Sequence, residues 1–559
     1  MIARRREGLG VAIVPLVTWI FALFLNPARG VAQRIFEPVV VIPKRVIVGN
    51  MPDGTLVMLT SQKGENGNDL FAKYSDDGLT WGEPTILRKG FENSGAILFT
   101  RDGEMYSFYD LARREKSGGN RGLFIDVWFT RSANGRTTWT EPQCIFRGWM
   151  GGPLHPIELK SGRILLPFES WVFERNWQNP GTGFRAFSYS GHFISSAVYS
   201  DDGGTTWIRT NDIEAPVPDT GTIGANEPAA IELKDGRIWL LTRTQMGRFY
   251  ESFSYDQGAH WSVARPSRFI SSDSPHAFVR LKDGRIVIVW NESLRFPYAY
   301  GGRQVLHAAI SEDEGATWRG YREIYRDPHR GDTRTKDVDY GTGYPYVMTT
   351  KSGKIFVTNG AYDADATLLF DPQWLYETHQ ADDFSQGVDR WSIYGVKGVE
   401  LMPHPEKASA KVLSIRRADR EWPSAAVWNF PAGRKGAVKI QLQLLPGSRG
   451  AEISVADHYS TPFDLEAELY GLYHLRIGPN GWIGDNMQLT PARWYTVTIK
   501  WDAAQNEAVA FVNGRQAAVL PQQHPTDSGP NYLRFRAIST DTSDAGFLVE
   551  SVEADVLGK

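Results

Sequence analysis

Ser200-Asp201-Asp202-Gly203-Gly204-Thr205-Thr206-Trp207 is the stretch from which the rest of the chain can be ordered, because it recurs. Relatives of it stand at residues 75–81, 132–139, 254–261 and 311–318, beginning at Ser75, Ser132, Ser254 and Ser311 and ending at Trp81, Trp139, Trp261 and Trp318. The residue types suit a tight strand-to-strand turn. An Asp or Asn side chain bonds nearby backbone amides, Gly accepts a positive φ, and Trp offers a large apolar face to a neighbouring unit. Recurrence on this scale marks a repeat architecture, and the stretch taken alone is scaffold.

A second marker recurs between the copies. Asp53-Gly54, Asp102-Gly103, Ser161-Gly162, Asp235-Gly236, Asp283-Gly284 and Ser352-Gly353 each separate two apolar runs, as Arg237-Ile238-Trp239-Leu240-Leu241 follows the fourth. Each unit from Arg45 to about Asp371 therefore reads as four antiparallel strands, and six units predict an all-β, six-bladed β-propeller. The sixth unit lacks the Ser/Asp/Trp turn, and Glu37-Pro38-Val39-Val40-Val41-Ile42 is expected to supply its outer strand and so close the ring.

The pattern stops between Asp371 and Asp383. Beyond it, Val438–Leu442, Tyr495–Trp501 and Ala508–Val512 before Asn513-Gly514 read as strands with partial period-two alternation, which predicts a β-sandwich of jelly-roll type. The expected divisions are a signal peptide over 1–32, the propeller over 33–375 and the sandwich over 383–559. Through the 494–501 strand and the Asn513-Gly514 hairpin the sandwich resembles concanavalin-like and laminin-G-like modules. Two roles stay open to it, glycan binding and packing against the propeller.

Composition narrows the function classes. A formal net charge of -3 gives no electrostatic reason to expect nucleic acid as a partner. The single cysteine, Cys144, cannot form an internal disulfide, so stability must come from packing. Arg4-Arg5-Arg6, an almost uncharged apolar run from Leu9 to Leu25 and Val31-Ala32 before Gln33 have the form of a cleavable export signal. Secretion or a periplasmic location is expected, without stable membrane insertion after cleavage; an uncleaved anchor is the alternative.

Strand parity locates the functional face. Both kinds of turn belong at one end of the blades, so the starts of first strands and the ends of second strands share the other. Arg45, Glu227 and Tyr344 each lie eight residues before a Gly turn's Asp or Ser, and Ser61, Asp110, Glu169, Arg243, Asn291 and Gly360 lie eight after. Arg303, eight residues before Ser311, opens a third strand on the same rim. Three arginines directed at one place imply an anion, carboxylate or phosphate; the alternative is local pairing with carboxylates such as Asp110 or Glu169.

With these residues in hand the chain resembles the sialidases, exo-acting glycosidases on a six-bladed propeller whose Ser/Asp/Gly/Thr/Trp turns are called Asp boxes. The resemblance covers Arg45 to about Asp371. It implies a carboxylate-binding triad at Arg45, Arg243 and Arg303, a tyrosine nucleophile at Tyr344, and Glu227, sixteen residues before Arg243, as its base. A neutral tyrosine avoids the repulsion that an Asp or Glu nucleophile would meet from a carboxylate on the reacting carbon. The acid/base is implied in the loop Ser61 to Asp69, with Asp69 preferred and Glu65 its rival. His155 and His276, near Asp110 and Glu169, are read either as polar groups of the substrate pocket or as structural histidines.

No His-based metal spacing and no calcium-loop spacing is visible in the sequence, and no cofactor is expected. The expected partner is a glycan ending in an acidic sugar, released with retention and most simply a sialic acid. Another 2-keto-3-deoxy sugar acid, or a glycan-binding propeller without turnover, are the competing readings.

Overall fold

The structure is a computed structural model and describes residues 33–36, 39–42, 46–65, 67–90, 95–117, 120–133, 138–173, 191–217, 224–294, 302–330, 341–360, 364–393, 397–421, 424–461, 471–485 and 487–557. The export signal and Arg45 lie outside the described residues. Among the described residues no helix is long and apolar enough to cross a membrane.

The chain is all-β. Gln33 to Phe370 forms six antiparallel sheets, and the strands of a sheet lie side by side in chain order, as Ile47–Asn50, Leu56–Gly64, Gly67–Ser75 and Thr85–Arg88 do in the first. The first strands of all six sheets line one cavity of about 600 Å³, through Val48, Leu98, Ile157, Ala230, Phe278 and Val347. The sheets are thus blades around a central channel. In the sixth blade, Tyr346–Thr349, Ile355–Asn359 and Ala366–Phe370 are completed by Val39–Ile42 from the other end of the chain, with Val41 opposite Leu368. Joining the two ends in one blade covers the outer edge of its third strand, Ala366–Phe370.

The markers that ordered the sequence have one geometry each. In all six Gly turns the glycine has a positive φ, between 82° and 96°. Its N–H donates to the carbonyl three residues back, as Gly236 does to Leu233 at 3.1 Å. In the Asp boxes, Ser200 Oγ donates to Asp202 Oδ1 (2.8 Å) and accepts the Gly204 N–H (2.7 Å), while Asp202 Oδ1 accepts the Thr206 N–H (2.8 Å). Ser254 and Ser311 repeat this with Gly258 and Gly315 at 2.7 and 2.9 Å. The Asp box ending at Trp139 lies partly outside the described residues.

Each box also bears on the blade before it. A Cβ on Gly204 would lie 2.5 Å from Phe129, and one on Gly315 would lie 2.8 Å from Trp239. Trp207 meets Phe129 and Phe108 edge-on at 5.1 and 5.7 Å. The small residue and the large one therefore close the same joint between blades. The two turn types do share an end of the propeller, since Arg163, beside the third Gly turn, is paired with Asp201 at 2.7 Å.

One expectation is corrected. The stretch from Ser61 to Asp69 is not an open loop: the second and third strands of blade one run on to a tight hairpin, with Gln62 opposite Asp69 and Gly64 opposite Gly67. Its polar residues face solvent on both sides of the ribbon, so no apolar alternation marks it as strand.

After a short 3-10 helix, Pro372–Tyr376, two sheets face each other across a core that includes Trp391, Trp428, Ile440, Val497, Phe535 and Phe547. One contains Lys435–Leu444, Trp494–Asp502, Glu507–Val512 and Phe547–Val556, the other Ala425–Asn429, Ala451–Ala456 and Tyr532–Ala537. This sandwich is joined to blade five by buried polar contacts. Tyr532 Oη donates to Glu323 Oε1 (2.6 Å), Asn531 donates to Glu292 Oε2 (2.8 Å), and the Tyr459 N–H donates to the Glu292 carbonyl (2.9 Å). Packing against the propeller is therefore one role that the sandwich performs.

Adding one methyl group separates backbone strain from the inter-blade joint. At Gly236 nothing lies within 4 Å of an added Cβ, whereas at Gly204 Phe129 blocks it. Gly236→Ala should cost about 1 kcal/mol for the positive φ, and Gly204→Ala roughly 2–4 kcal/mol for φ and overpacking together. Equilibrium unfolding in urea checks this, and equal costs at the two positions would refute the joint.

Candidate active site

Glu227 and Tyr344 occupy the same place in blades four and six, and their backbones show it. Glu227 has φ 43° and Tyr344 φ 52°. Such conformations cost a non-Gly residue on the order of 1–3 kcal/mol and persist only where neighbours enforce them. Glu227 sits in a bulge, since Asn226 pairs with Arg243 and Ala229 with Leu241 while the register shifts between. Pro228, which has no N–H to contribute to a ladder, falls inside this irregularity. A bulge re-aims its side chain.

The bonds that hold this backbone are short. The Glu227 N–H donates to Glu169 Oε2 at 2.6 Å and to Asn226 Oδ1 at 3.1 Å. Before Tyr344, the Gly343 N–H donates to Asn359 Oδ1 (2.8 Å), and the Thr342 N–H donates to the Arg303 carbonyl (2.8 Å). Asn291 Nδ2 donates to Thr342 Oγ1 (2.7 Å), tying the same segment to blade five.

Arg243 ends the second strand of blade four and is buried. Its Nη1 donates to Glu227 Oε2 and its Nε to Asp273 Oδ1, both at 2.6 Å. Burial works against the cation, but the Asp273 and Glu227 carboxylates, with Tyr344 nearby, raise its pKa well above the ordinary value. Gln245 Nε2 donates to the other Asp273 oxygen (3.0 Å), and Arg303 Nη2 donates to the Asp273 carbonyl (3.1 Å). The Arg303 guanidinium carbon is 5.0 Å from the centre of the Tyr344 ring. Glu227, Arg243, Arg303 and Tyr344, separated by up to 117 residues (344 − 227), are thus one constellation.

Two residues of it escaped the sequence reading. Asp273 and Gln245 lie off the eight-residue spacing, and the only signal for Asp273 is that it precedes the first strand of blade five, Ala277–Arg280. Local pairing with a carboxylate, the alternative reading, is met at Arg243, but by carboxylates other than Asp110 and Glu169. Arg243 takes Glu227 and Asp273 instead.

The other predicted residues fall around the constellation. Burial, and then the Glu227 charge, push the Glu169 carboxyl well above the ordinary carboxylate value of 4.5. Its surroundings therefore favour the protonated form of Glu169 beneath Glu227. Asp110 lies exposed at the channel wall. His155 also lines the channel, and burial lowers its pKa to about 4. His276 is fully buried between Phe249 and Phe278, its pKa brought down to about 3 by burial and by His155. Both rings are neutral at pH 7. Asp69 Oδ1 accepts the Gly90 N–H at 2.9 Å, on the outer side of blade one, and Glu65 is exposed at the hairpin tip. Among the described residues neither carboxylate touches the constellation.

Residues 65–357 match the family described as BNR repeat-like domain. The chain belongs to the BNR repeat-like family. The span of that family runs through the constellation, from Glu65 past Tyr344. The chain is also similar to a sialidase of Paraclostridium sordellii, 24% identical over 244 residues that cover 40% of this chain and 56% of the relative. It thus spans just over half the length of that relative. A Clostridium perfringens sialidase is 25% identical over 331 residues, 56% of this chain and 78% of its own. Among solved structures, a Trypanosoma rangeli sialidase aligns over 93% of each chain at 14% identity with a TM-score of 0.39.

The upward shift of Glu169 gives a pH signature. A carboxyl raised in the fold stabilises most below its unfolded value, and that stability is lost as pH rises toward the folded value. Glu169→Gln keeps the acceptor for the Glu227 N–H but cannot ionise. Its stability relative to the parent should therefore rise between pH 5 and pH 8, by up to about 1.4 kcal/mol per pH unit. Parallel unfolding curves for the two proteins across that range would contradict a raised Glu169.

Proposed function

We propose that the protein is a sialidase-like exo-glycosidase that releases a terminal acidic sugar, most simply a sialic acid, from a glycoconjugate. The observation that carries this reading is the placing of Tyr344 against Arg303 and in the field of Arg243, with Glu227 tied to Arg243 at 2.6 Å. A tyrosine is a poor nucleophile unless its proton has somewhere to go and its developing charge has a cation beside it. Glu227 supplies the first and the two arginines the second.

In this reading Arg243 and Arg303, with Arg45 as the third member, hold the sugar's carboxylate. Tyr344 Oη attacks the anomeric carbon and gives its proton to Glu227, while the leaving oxygen takes a proton from Asp69. Water then attacks the anomeric carbon of the glycosyl-tyrosine, giving its proton to Asp69 while the departing Tyr344 oxygen recovers its own from Glu227, so the configuration is retained. Asp69 on the blade-one hairpin serves as the acid, and Glu65 at its tip is the alternative donor. The sandwich keeps blade five in place, and the leading 32 residues direct export.

The test is release of a fluorogenic group from an α-sialoside by protein beginning at Gln33, beside Tyr344→Phe, Asp69→Asn and Glu65→Gln. Tyr344→Phe should lose turnover. Loss of a general acid costs roughly 10²–10⁴-fold, most with a poor leaving group, and this should be seen for Asp69→Asn. The same loss in Glu65→Gln alone would move the acid to Glu65. A parent inactive on sialosides but active on another ulosonic acid would change the sugar. Inactivity on all of them, with glycan binding retained, would replace the enzyme by a binding propeller.

A further inference from the structure

The outer strand of blade five, Arg319–Arg326, borders a cleft of about 390 Å³ whose other wall belongs to the sandwich. Arg322, Arg326, Arg390, Glu323, Gln380 and Trp374 line it. This is the rim of the propeller, remote from the first strands that form the channel. Three guanidinium groups face two carboxylates here, those of Glu323 and Glu377.

The charges are unequally matched. Arg326 is ion-paired with the buried Glu323 and donates to the Asp389 carbonyl at 3.1 Å. Arg322, with a side chain only 6% exposed, lies 4.4 Å over the Trp374 ring. Its Nη1 is 3.5 Å from Glu377, an exposed carboxylate, and its Nη2 donates to the neutral Gln380 Oε1 at 2.6 Å. Its buried Nε has no acceptor among the described residues. Burial, only partly offset by Glu377 and worsened by Arg390 and Arg326, lowers the Arg322 pKa to about 10. A buried cation whose single carboxylate partner is solvent-exposed and whose Nε is unsatisfied is costly, and an added oxyanion relieves that cost.

We propose that this cleft is a second binding site, for an oxyanion, carboxylate or sulfate, carried on a polar body of about monosaccharide size. The planar fork of an arginine matches both groups. The volume lies at the lower end of small-molecule pockets, roughly 300–1,000 Å³, and is too large for a bare ion. On its walls the exposed His379, whose Nδ1 meets Asp555, presents Nε2 for a hydroxyl group, while the Gln380 and Asn429 amides are engaged within the protein. Because one arginine comes from the propeller and another, Arg390, from the segment entering the sandwich, the site exists only when the two are docked. It rests on none of the roles given to Tyr344, Glu227 or Asp69.

Crystals soaked in selenate, a heavy isostere of sulfate, test the position, and calorimetric titration with sulfate, glucuronate and galactose tests the chemistry. An anomalous peak bridging Arg322 and Arg390 is expected, with binding of an anion and none of neutral galactose. Arg390→Ala should weaken the cleft's anion about tenfold or more, the usual effect of losing a charged hydrogen bond. Arg322→Lys should do the same if Arg390→Ala melts early. Sialoside turnover should be unchanged in Arg390→Ala. Sulfate binding without glucuronate would assign the site to sulfated sugars, and the converse to sugar acids. Selenate found only beside Arg243, or anion affinities equal in parent and both variants, would overturn the proposal.

Discussion

Arg243 is held between two carboxylates, Glu227 and Asp273, at 2.6 Å each, and the site is assembled around that buried ion triad. A guanidinium at this depth is tolerable only with such partners, and each partner brings a further element with it. Glu227 comes with a bulge, a positive φ and the Glu169 carboxyl that accepts its N–H. Asp273 comes with Arg303 and Gln245. Arg303 in turn lies over Tyr344. The strain at Glu227 and Tyr344 is thus sustained by one network that joins blades four, five and six, and removing the central cation would leave two buried carboxylates facing each other.

The propeller makes this network rigid at low cost. Its inner strands bury small residues such as Ala229, Ala230 and Ala277 around the channel, and its joints are filled by repeated Gly–aromatic contacts. Blade five carries an extra load, since its outer strand anchors the sandwich through Glu323 and Tyr532, and the segment after its second strand, Ile286–Trp290, does so through Glu292 and Asn531. His307 shares in the same chain, with Nδ1 accepting the Glu292 N–H and Nε2 directed to the Tyr532 hydroxyl. The sandwich therefore fixes the blade that supplies Arg303 and Asp273.

Much of this was legible in the sequence because a propeller repeats a fixed length of chain. The Gly turns and Asp boxes set the period, and counting from them put Glu227 and Tyr344 at equivalent places before any contact was known; their shared positive φ is the structural expression of that count. Val39–Ile42 could be assigned to blade six because an unpaired edge has to be covered. What could not be read depends on docking of one unit with another. Asp273 meets Arg243 only across two blades, and Arg322 is buried, with its Nε left without an acceptor among the described residues, only where the propeller meets the sandwich. The extension of the blade-one hairpin through Ser61 to Asp69 escaped because its paired residues, Gln62, Lys63 and Asn68, are polar and carry no strand signal.

The central claim is that the Arg243 network prepares Tyr344 to form a covalent bond to an acidic sugar. Mass spectrometry of the protein treated with a fluorinated sialosyl fluoride, which forms a glycosyl intermediate quickly and loses it slowly, tests this most directly. The account predicts a mass increase of one fluorosialosyl unit that maps to the peptide containing Tyr344 and is absent from Tyr344→Phe. An adduct on another residue, or sialoside turnover with no adduct at all, would contradict it.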